Sequence, residues 1–256
     1  MPIDRGFVTD ASVPLKDSIA AAGDIGLDYV EIMMHGTGHR KRLAAEGPSI
    51  AAALDDGDLD CLVHLPFTGI DVGSPHPHVR EGAIREFEAC LEAAASIGAR
   101  KAVLHPTSRA RNHADRRRYM IEGVSAVVAA GHEHGVEVCA ENMFGSYVTV
   151  REFDDIFNAT EASMTFDTGH ARIEGYDPAD MAAFLATNRD RVSHVHLNDT
   201  HGASDDHLPF GCGTLDFATA LAPLLDGDWD GTLSLEIATQ SLEYVRFSAA
   251  QLEELD

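Results

Sequence analysis

A single-domain (β/α)8 barrel, an α/β architecture, is the fold class that this sequence predicts. Two observations predict it: β-rich runs alternate with longer helical patterns from one end of the 256 residues to the other, and no linker or low-complexity segment interrupts them. Strands alternating with helices imply a parallel sheet, and eight such units in about 250 residues suffice to close a barrel. An open doubly wound sheet is the alternative. Its dinucleotide-binding form needs a glycine-rich turn after the first strand, and TDASVPLKD contains no glycine there.

The elements follow in order. GFVT (6–9) is the first strand, and YVEIMM (29–34) is the second. CLVHLPF (61–67) comes next, followed by the helical pattern VREGAIREFEACLEAAASIG, whose apolar residues recur at three and four and which stops at glycine. KAVLHPT (101–107) is the fourth strand, and RRRYMIEGVSAVVAAGHEHG again ends at glycine, with His132 and His134 placed where an imidazolium favours the helix C-terminus. VEVCAEN (136–142), SMTFDTG (163–169), VSHVHLN (192–198) and TLSLEIA (232–238) complete the eight. The whole chain, 1–256, reads as one domain.

Composition narrows the function. Forty-two acidic against nineteen basic side chains give a net charge of −23, which argues against a general nucleic-acid coat protein. A hydrophobic fraction of 45% excludes disorder as the main state. Lysine occurs only at Lys16, Lys41 and Lys101, and so acidic a surface suits a high-salt cytoplasm, where the Debye length falls to ~3 Å at 1 M. A halophilic source is therefore expected. The charged start MPIDRGFVTD lacks the apolar stretch of a signal peptide, and no long apolar run exists, so a cytoplasmic protein without membrane contact is expected. Cys61, Cys90, Cys139 and Cys212 lack CxxC spacing and read as reduced, buried thiols.

In a barrel of this kind the chemistry sits at the C-terminal strand ends. Six strands end in a possible metal ligand: His64, His105, Glu141, Asp167 with His170, His196, and Glu236. The loop after the seventh strand adds Asp205, Asp206 and His207. Inward strand ends converge on one axis, where several carboxylates cannot all ionise side by side without a cation between them. Mixed imidazole and carboxylate donors suit zinc, manganese, cobalt or iron. His194, two residues below His196 on the same face, reads as a hydrogen-bonded barrel histidine.

The runs VHLPFTGIDVGSPHP, VLHP, AEN, FDTGHA, HVHLND, DDHLPFGCGTLDF and SLEI, in this order and spacing, resemble the xylose-isomerase-like barrel superfamily. That superfamily unites endonuclease IV (AP endonuclease family 2) with sugar phosphate isomerases and epimerases, and the similarity runs from about residue 29 to 240. The resemblance implies a TIM barrel holding one to three divalent ions, such as zinc, manganese, cobalt or magnesium. By it, Glu141, Asp167, His196 and Glu236 match the epimerase metal quartet, in which the two glutamates also handle protons. His64, His105, His170, Asp205 and His207 match the additional ligands of a trinuclear zinc site. Phe67 stands where endonuclease IV carries an aromatic hydroxyl, Gly211-Cys212-Gly213 replaces its glycine–acid–glycine turn, and Tyr147 stands where ketose 3-epimerases carry a second glutamate.

The basic residues Arg40, Lys41, Arg42, Arg109, Arg111 and Arg172 follow strands on the catalytic face, where arginine forks bind phosphate or carboxylate. Arg172, Arg109 and His35 are the expected substrate contacts, and His113, in the loop after the fourth strand, could touch substrate as His35 could. The function expected is a metal-dependent isomerase or epimerase of a small sugar, sugar phosphate or polyol, with Glu141 and Glu236 exchanging protons through an enediolate. A homo-oligomer is compatible with this reading. The alternative is an apurinic-site endonuclease, for which HRKR (39–42) is the one plausible basic strip.

Overall fold

The computed structural model describes residues 3–109, 112–145, 148–225 and 228–255. Its eight strands pair in parallel, in chain order, around a closed barrel. They are β1 (Asp4–Val8), β2 (Tyr29–Met33), β3 (Asp60–His64), β4 (Lys101–Leu104), β5 (Glu137–Glu141), β6 (Ser163–Asp167), β7 (Val192–Leu197) and β8 (Thr232–Leu235). The connecting helices are α1 (Leu15–Ile25), α2 (Arg40–Asp56), α3 (Pro77–Ser96), α4 (Arg116–His134), α5 (Phe153–Ala159), the short α6 (Thr168–Ile173), α7 (Pro178–Asn188), α8 (Phe217–Leu225) and α9 (Leu242–Glu253). Among the described residues, no helix is long and apolar enough to cross a membrane.

The predicted strands are all present, with edges moved for identifiable reasons. β1 begins two residues before the expected Gly6 because pairing with β8, from Asp4 opposite Thr232 to Phe7 opposite Leu235, closes the barrel. β3 and β4 stop at His64 and Leu104, short of the expected ends, and Pro66 and Pro106 follow without an N–H to continue a ladder. β6 stops at Asp167 rather than Gly169, because the Asp167 carboxylate accepts the His170 N–H at 2.6 Å and caps α6. The glycine that ends α4 is Gly135, at φ 71°, whose N–H bonds the last-turn carbonyls of Gly131 and His132.

Strand alternation sorts the interior into two kinds of core. Val30, Ile32, Val63, Val138, Phe166, Val195 and Leu233 point outward and pack with helix residues such as Leu43, Leu91 and Val127 in one apolar cluster. The alternate residues point into the barrel and are largely polar: Tyr29, Glu31, His64, Glu141, Asp167, His194, His196, Thr232 and Ser234 are all almost wholly buried. Tyr29 crosses the barrel only because β1 places a glycine beside it. A Cβ on Gly6 would lie 2.4 Å from the tyrosine ring. Gly6→Ala is expected to destabilise the protein by about 1–3 kcal/mol, read as a lower urea midpoint at unchanged slope.

The four cysteines are unpaired, as expected, but Cys212 is exposed rather than buried. It lies in the loop before α8, outside the apolar cluster that encloses Cys61 and Cys90.

Candidate metal centre

The barrel brings all nine predicted ligands to its C-terminal end, in three neighbouring sets. Glu141, Asp167, His196 and Glu236 form the central set, with donor atoms within 4.8 Å of one another. His64, His105 and Glu141 form a second, and His170, Asp205 and His207 a third. Glu141 belongs to the first two and lies beside the third: one of its oxygens is 2.9 Å from His105 Nε2 and the other 3.3 Å from His196 Nδ1 and 3.4 Å from His170 Nδ1.

The histidines are oriented as ligands are. His64 gives its Nδ1–H to the Leu65 carbonyl at 3.1 Å, so Nε2 turns inward, 3.2 Å from His105 Nε2. His170 Nδ1–H bonds the Asn142 carbonyl at 2.9 Å, leaving Nε2 3.4 Å from Asp205. His207 Nδ1–H bonds the Glu236 carbonyl at 3.1 Å, leaving Nε2 3.1 Å from Asp205. Each ring spends one nitrogen on the protein and presents the other to the cluster, the pattern in which outer contacts fix a ligand's tautomer. His207 does so from a left-handed backbone, φ 45°, which turns the loop back under the site.

Two carboxylate oxygens have no aligned hydrogen-bond donor among the described residues although they are buried: Oε2 of Glu141 and Oε2 of Glu236. Such orphaned anionic atoms are costly unless a cation meets them. The donor set therefore fits a divalent ion. Asparagines that sequence reasoning passed over hold the central set in place. Asn198 donates to Asp167 Oδ2 at 2.9 Å, and Asn142 clasps the Asp167 backbone through bonds of 2.8 and 3.0 Å. Each is the last residue of a predicted strand, in AEN and HLN, which was the available signal. Glu31, within 3.0 Å of both His194 and His196, was also missed, because it lies alone in YVEIMM, far along the chain from either histidine.

Charge coupling within the cluster is strong. Burial acts to raise the Glu141 carboxyl, but His105 and His196 outweigh it and hold it well below the usual range. Burial likewise opposes ionisation of Glu236, yet His196 and His207 draw it down to about 2. Asp167 goes the other way: burial, with Glu141 and Glu236 adding to it against His170, pushes it up to about 7. Below that pH Asp167 carries a proton that an incoming ion must displace. Affinity for zinc should therefore tighten as pH rises from about 6 to 8. Competition with a chromophoric chelator measures this, and a flat profile would contradict it.

Two hollows open from the cluster. One, about 430 Å³, is lined by Asp10, Met33, His35, Phe67, His207 and Glu236 among others. The other, about 210 Å³, is lined by His105, Met143, Phe144, His170, Asp205 and Glu236 among others. Phe67 stacks on His105 with ring centres 4.6 Å apart and meets His35 edge-on at 4.9 Å. Among the described residues, neither wall contains an arginine or lysine. Arg172, at the end of α6, lies beside Gly202, and the exposed Arg109 uses its backbone N–H to bond Asp71 at 3.2 Å. His113 lines a separate hollow with Arg116 and Arg117. Arg40 forks onto Glu86 at 2.5 and 2.8 Å, and Arg42 pairs with Glu46 at 3.0 Å. Arg111 and Tyr147 lie outside the described residues.

Comparison with known proteins agrees with this architecture. An uncharacterised protein of Methanocaldococcus jannaschii is 23% identical over 282 residues, which cover 99% of this chain and 95% of that one. A probable endonuclease 4 of Listeria monocytogenes serotype 4b is 29% identical over 178 residues, covering 62% of this chain and 59% of the relative. A solved D-tagatose 3-epimerase-like protein superposes with a TM-score of 0.86 at 22% identity, covering 99% of this chain and 97% of its own, a likeness of fold. The family model described as xylose isomerase-like TIM barrel matches residues 19–255. With nearly the whole barrel inside that match, the chain belongs to the xylose isomerase-like TIM barrel family.

Proposed function

We propose that this protein is a divalent-metal-dependent isomerase or epimerase of a small sugar or polyol. One observation carries the reading: Glu141 and Glu236 flank His196 Nδ1 at 3.3 and 3.1 Å, and Glu236 also forms part of the wall of both hollows. Glu141, Asp167, His196 and Glu236 would hold the ion, which when bound supplies Lewis-acid polarisation of a carbonyl and its neighbouring hydroxyl. Both glutamates are held ionised at neutral pH, the form in which a carboxylate can accept a proton. One removes the proton and the other returns it. Met33, Phe67 and Ile237 give the larger hollow an apolar wall. The D-tagatose 3-epimerase-like neighbour supports a sugar as substrate.

The composition of the walls favours an uncharged sugar over a phosphorylated one. Asp10, Asp205 and Glu236 supply anionic groups, and no described arginine or lysine stands opposite them. Arg172 and Arg109 are the side chains that would serve a phosphorylated substrate by moving into the site. Arg172→Ala is expected to leave KM for an uncharged ketose unchanged, and a raised KM confined to the phosphorylated sugar would restore the anionic reading.

A second reading, an apurinic-site phosphodiesterase, is favoured by one observation: Glu141 joins ligand sets that together could hold more than one ion. The relatives named probable endonuclease 4 support it. Against it, Arg40 and Arg42 of the HRKR strip are engaged by Glu86 and Glu46, which leaves little free cation for a DNA backbone. Metal equivalents per chain, followed by assays on a ketose and aldose panel and on abasic-site duplex DNA, decide between them. Sugar turnover without DNA cleavage is expected. Cleavage that collapses when Arg40, Lys41 and Arg42 are replaced by serine would install the nuclease.

A further inference from the structure

We infer that Glu31 is a positioning residue: two chains of hydrogen-bond donors converge on its carboxylate, which in turn locks His196 in the tautomer whose Nδ1 lone pair faces the central cluster. The inference rests on the reading of that cluster as a metal centre.

The direction of each bond follows from what each group can do. Lys101 Nζ has donors and no acceptor, and it donates to the Ser193 carbonyl at 2.6 Å and to Thr232 Oγ1 at 3.2 Å. With its oxygen so engaged, the Thr232 hydroxyl aims its hydrogen at His194 Nδ1, 2.7 Å away. His194 Nδ1 is then the acceptor, and the ring proton sits on Nε2, 3.0 Å from Glu31 Oε2. A second chain runs from the Tyr29 hydroxyl to Ser234 Oγ at 2.9 Å, and from Ser234 to Glu31 Oε2 at 2.6 Å. The last donor to Glu31 is His196 itself, with Nε2 3.0 Å from Oε1. An ionised carboxylate accepts only, so His196 Nε2 must carry the hydrogen, and Nδ1 is the nitrogen left to bind an ion once any second proton shared with Glu141 and Glu236 has left. That nitrogen lies between the oxygens of Glu141 and Glu236.

This arrangement spans the barrel. Its members come from β2, β4, β7 and β8, and Tyr29, Glu31, His194, His196 and Ser234 are almost fully enclosed. An interior needed only for stability would do as well or better with apolar side chains in place of so costly a buried charge. A carboxylate behind a ligating imidazole instead orients the ring and raises its basicity.

The test uses the full-length protein and zinc as the probe. Zinc affinity comes from chelator competition, zinc equivalents at saturation from elemental analysis, and the His196 tautomer from long-range proton–nitrogen spectra of nitrogen-15 histidine-labelled protein. Metal-free wild type, at a pH alkaline enough to remove any second proton from the ring, should show the Nε2–H pattern at His196. Glu31→Ala should weaken the central site about 10–100-fold, lose that single-tautomer pattern, and still reach the full complement at saturating zinc. Glu31→Gln, nearly isosteric, keeps one acceptor for His196 without the charge and should fall between the two. It carries the test should the alanine variant not fold, and wild-type affinity in it would then overturn the inference. A folded alanine variant with unchanged affinity or unchanged tautomer overturns it too. A missing equivalent at saturation would make Glu31 a ligand and overturn the positioning role. A wild-type protein that binds no zinc would remove the metal reading, and this inference with it.

Discussion

Glu141→Gln should abolish most turnover, by about 10²–10⁴-fold for loss of the proton role alone, and should strip metal as well. Glu141 is the residue that joins the sets: His105, His170 and His196 each lie within 3.4 Å of its oxygens, and His64 within 3.6 Å. Glutamine preserves the volume but puts an amide N–H where His105 Nε2 and His196 Nδ1 must be free to bind an ion. Metal content at defined free zinc, kcat on the active sugar and the melting temperature separate the effects. Full metal occupancy with near-normal kcat would remove Glu141 from both roles.

Glu236→Gln should be the cleaner loss. Glu236 follows β8, its backbone N–H bonds the Leu197 carbonyl at 2.9 Å, and its carbonyl orients His207, so the main-chain scaffold survives the substitution. The side chain is drawn down to about 2 by His196 and His207 against the effect of burial, and glutamine cannot take a proton at any working pH. A fall in kcat of at least ~10²-fold is expected, with far-ultraviolet dichroism and unfolding midpoint close to wild type. Near-normal turnover on the authentic sugar would exclude Glu236 from proton transfer.

The strands and their catalytic ends were legible because both are local. Alternation in YVEIMM or VSHVHLN reports which residues share a face, and a barrel places chemistry at the strand ends whatever the loops do. The nine candidate ligands could be named from motifs that lie within single strands or just beyond them. Edges such as Asp167, where the strand becomes a helix, were less visible. There the side chain's capping bond to His170 overrides a run of residues that otherwise reads as β.

By itself, then, the sequence determined the (β/α)8 architecture, the end of the barrel that carries chemistry and the residue types gathered there. Only the tertiary structure decided which of those residues share donor atoms, which ring nitrogen of each histidine faces inward, and that the cavity walls among the described residues lack arginine. It alone brought Glu31 against His196, 165 positions along the chain. The reason is geometric. Periodicity tells which side chains point into the barrel, but which of them meet depends on strand tilt and stagger, set only when β1 pairs with β8 and the sheet closes on itself.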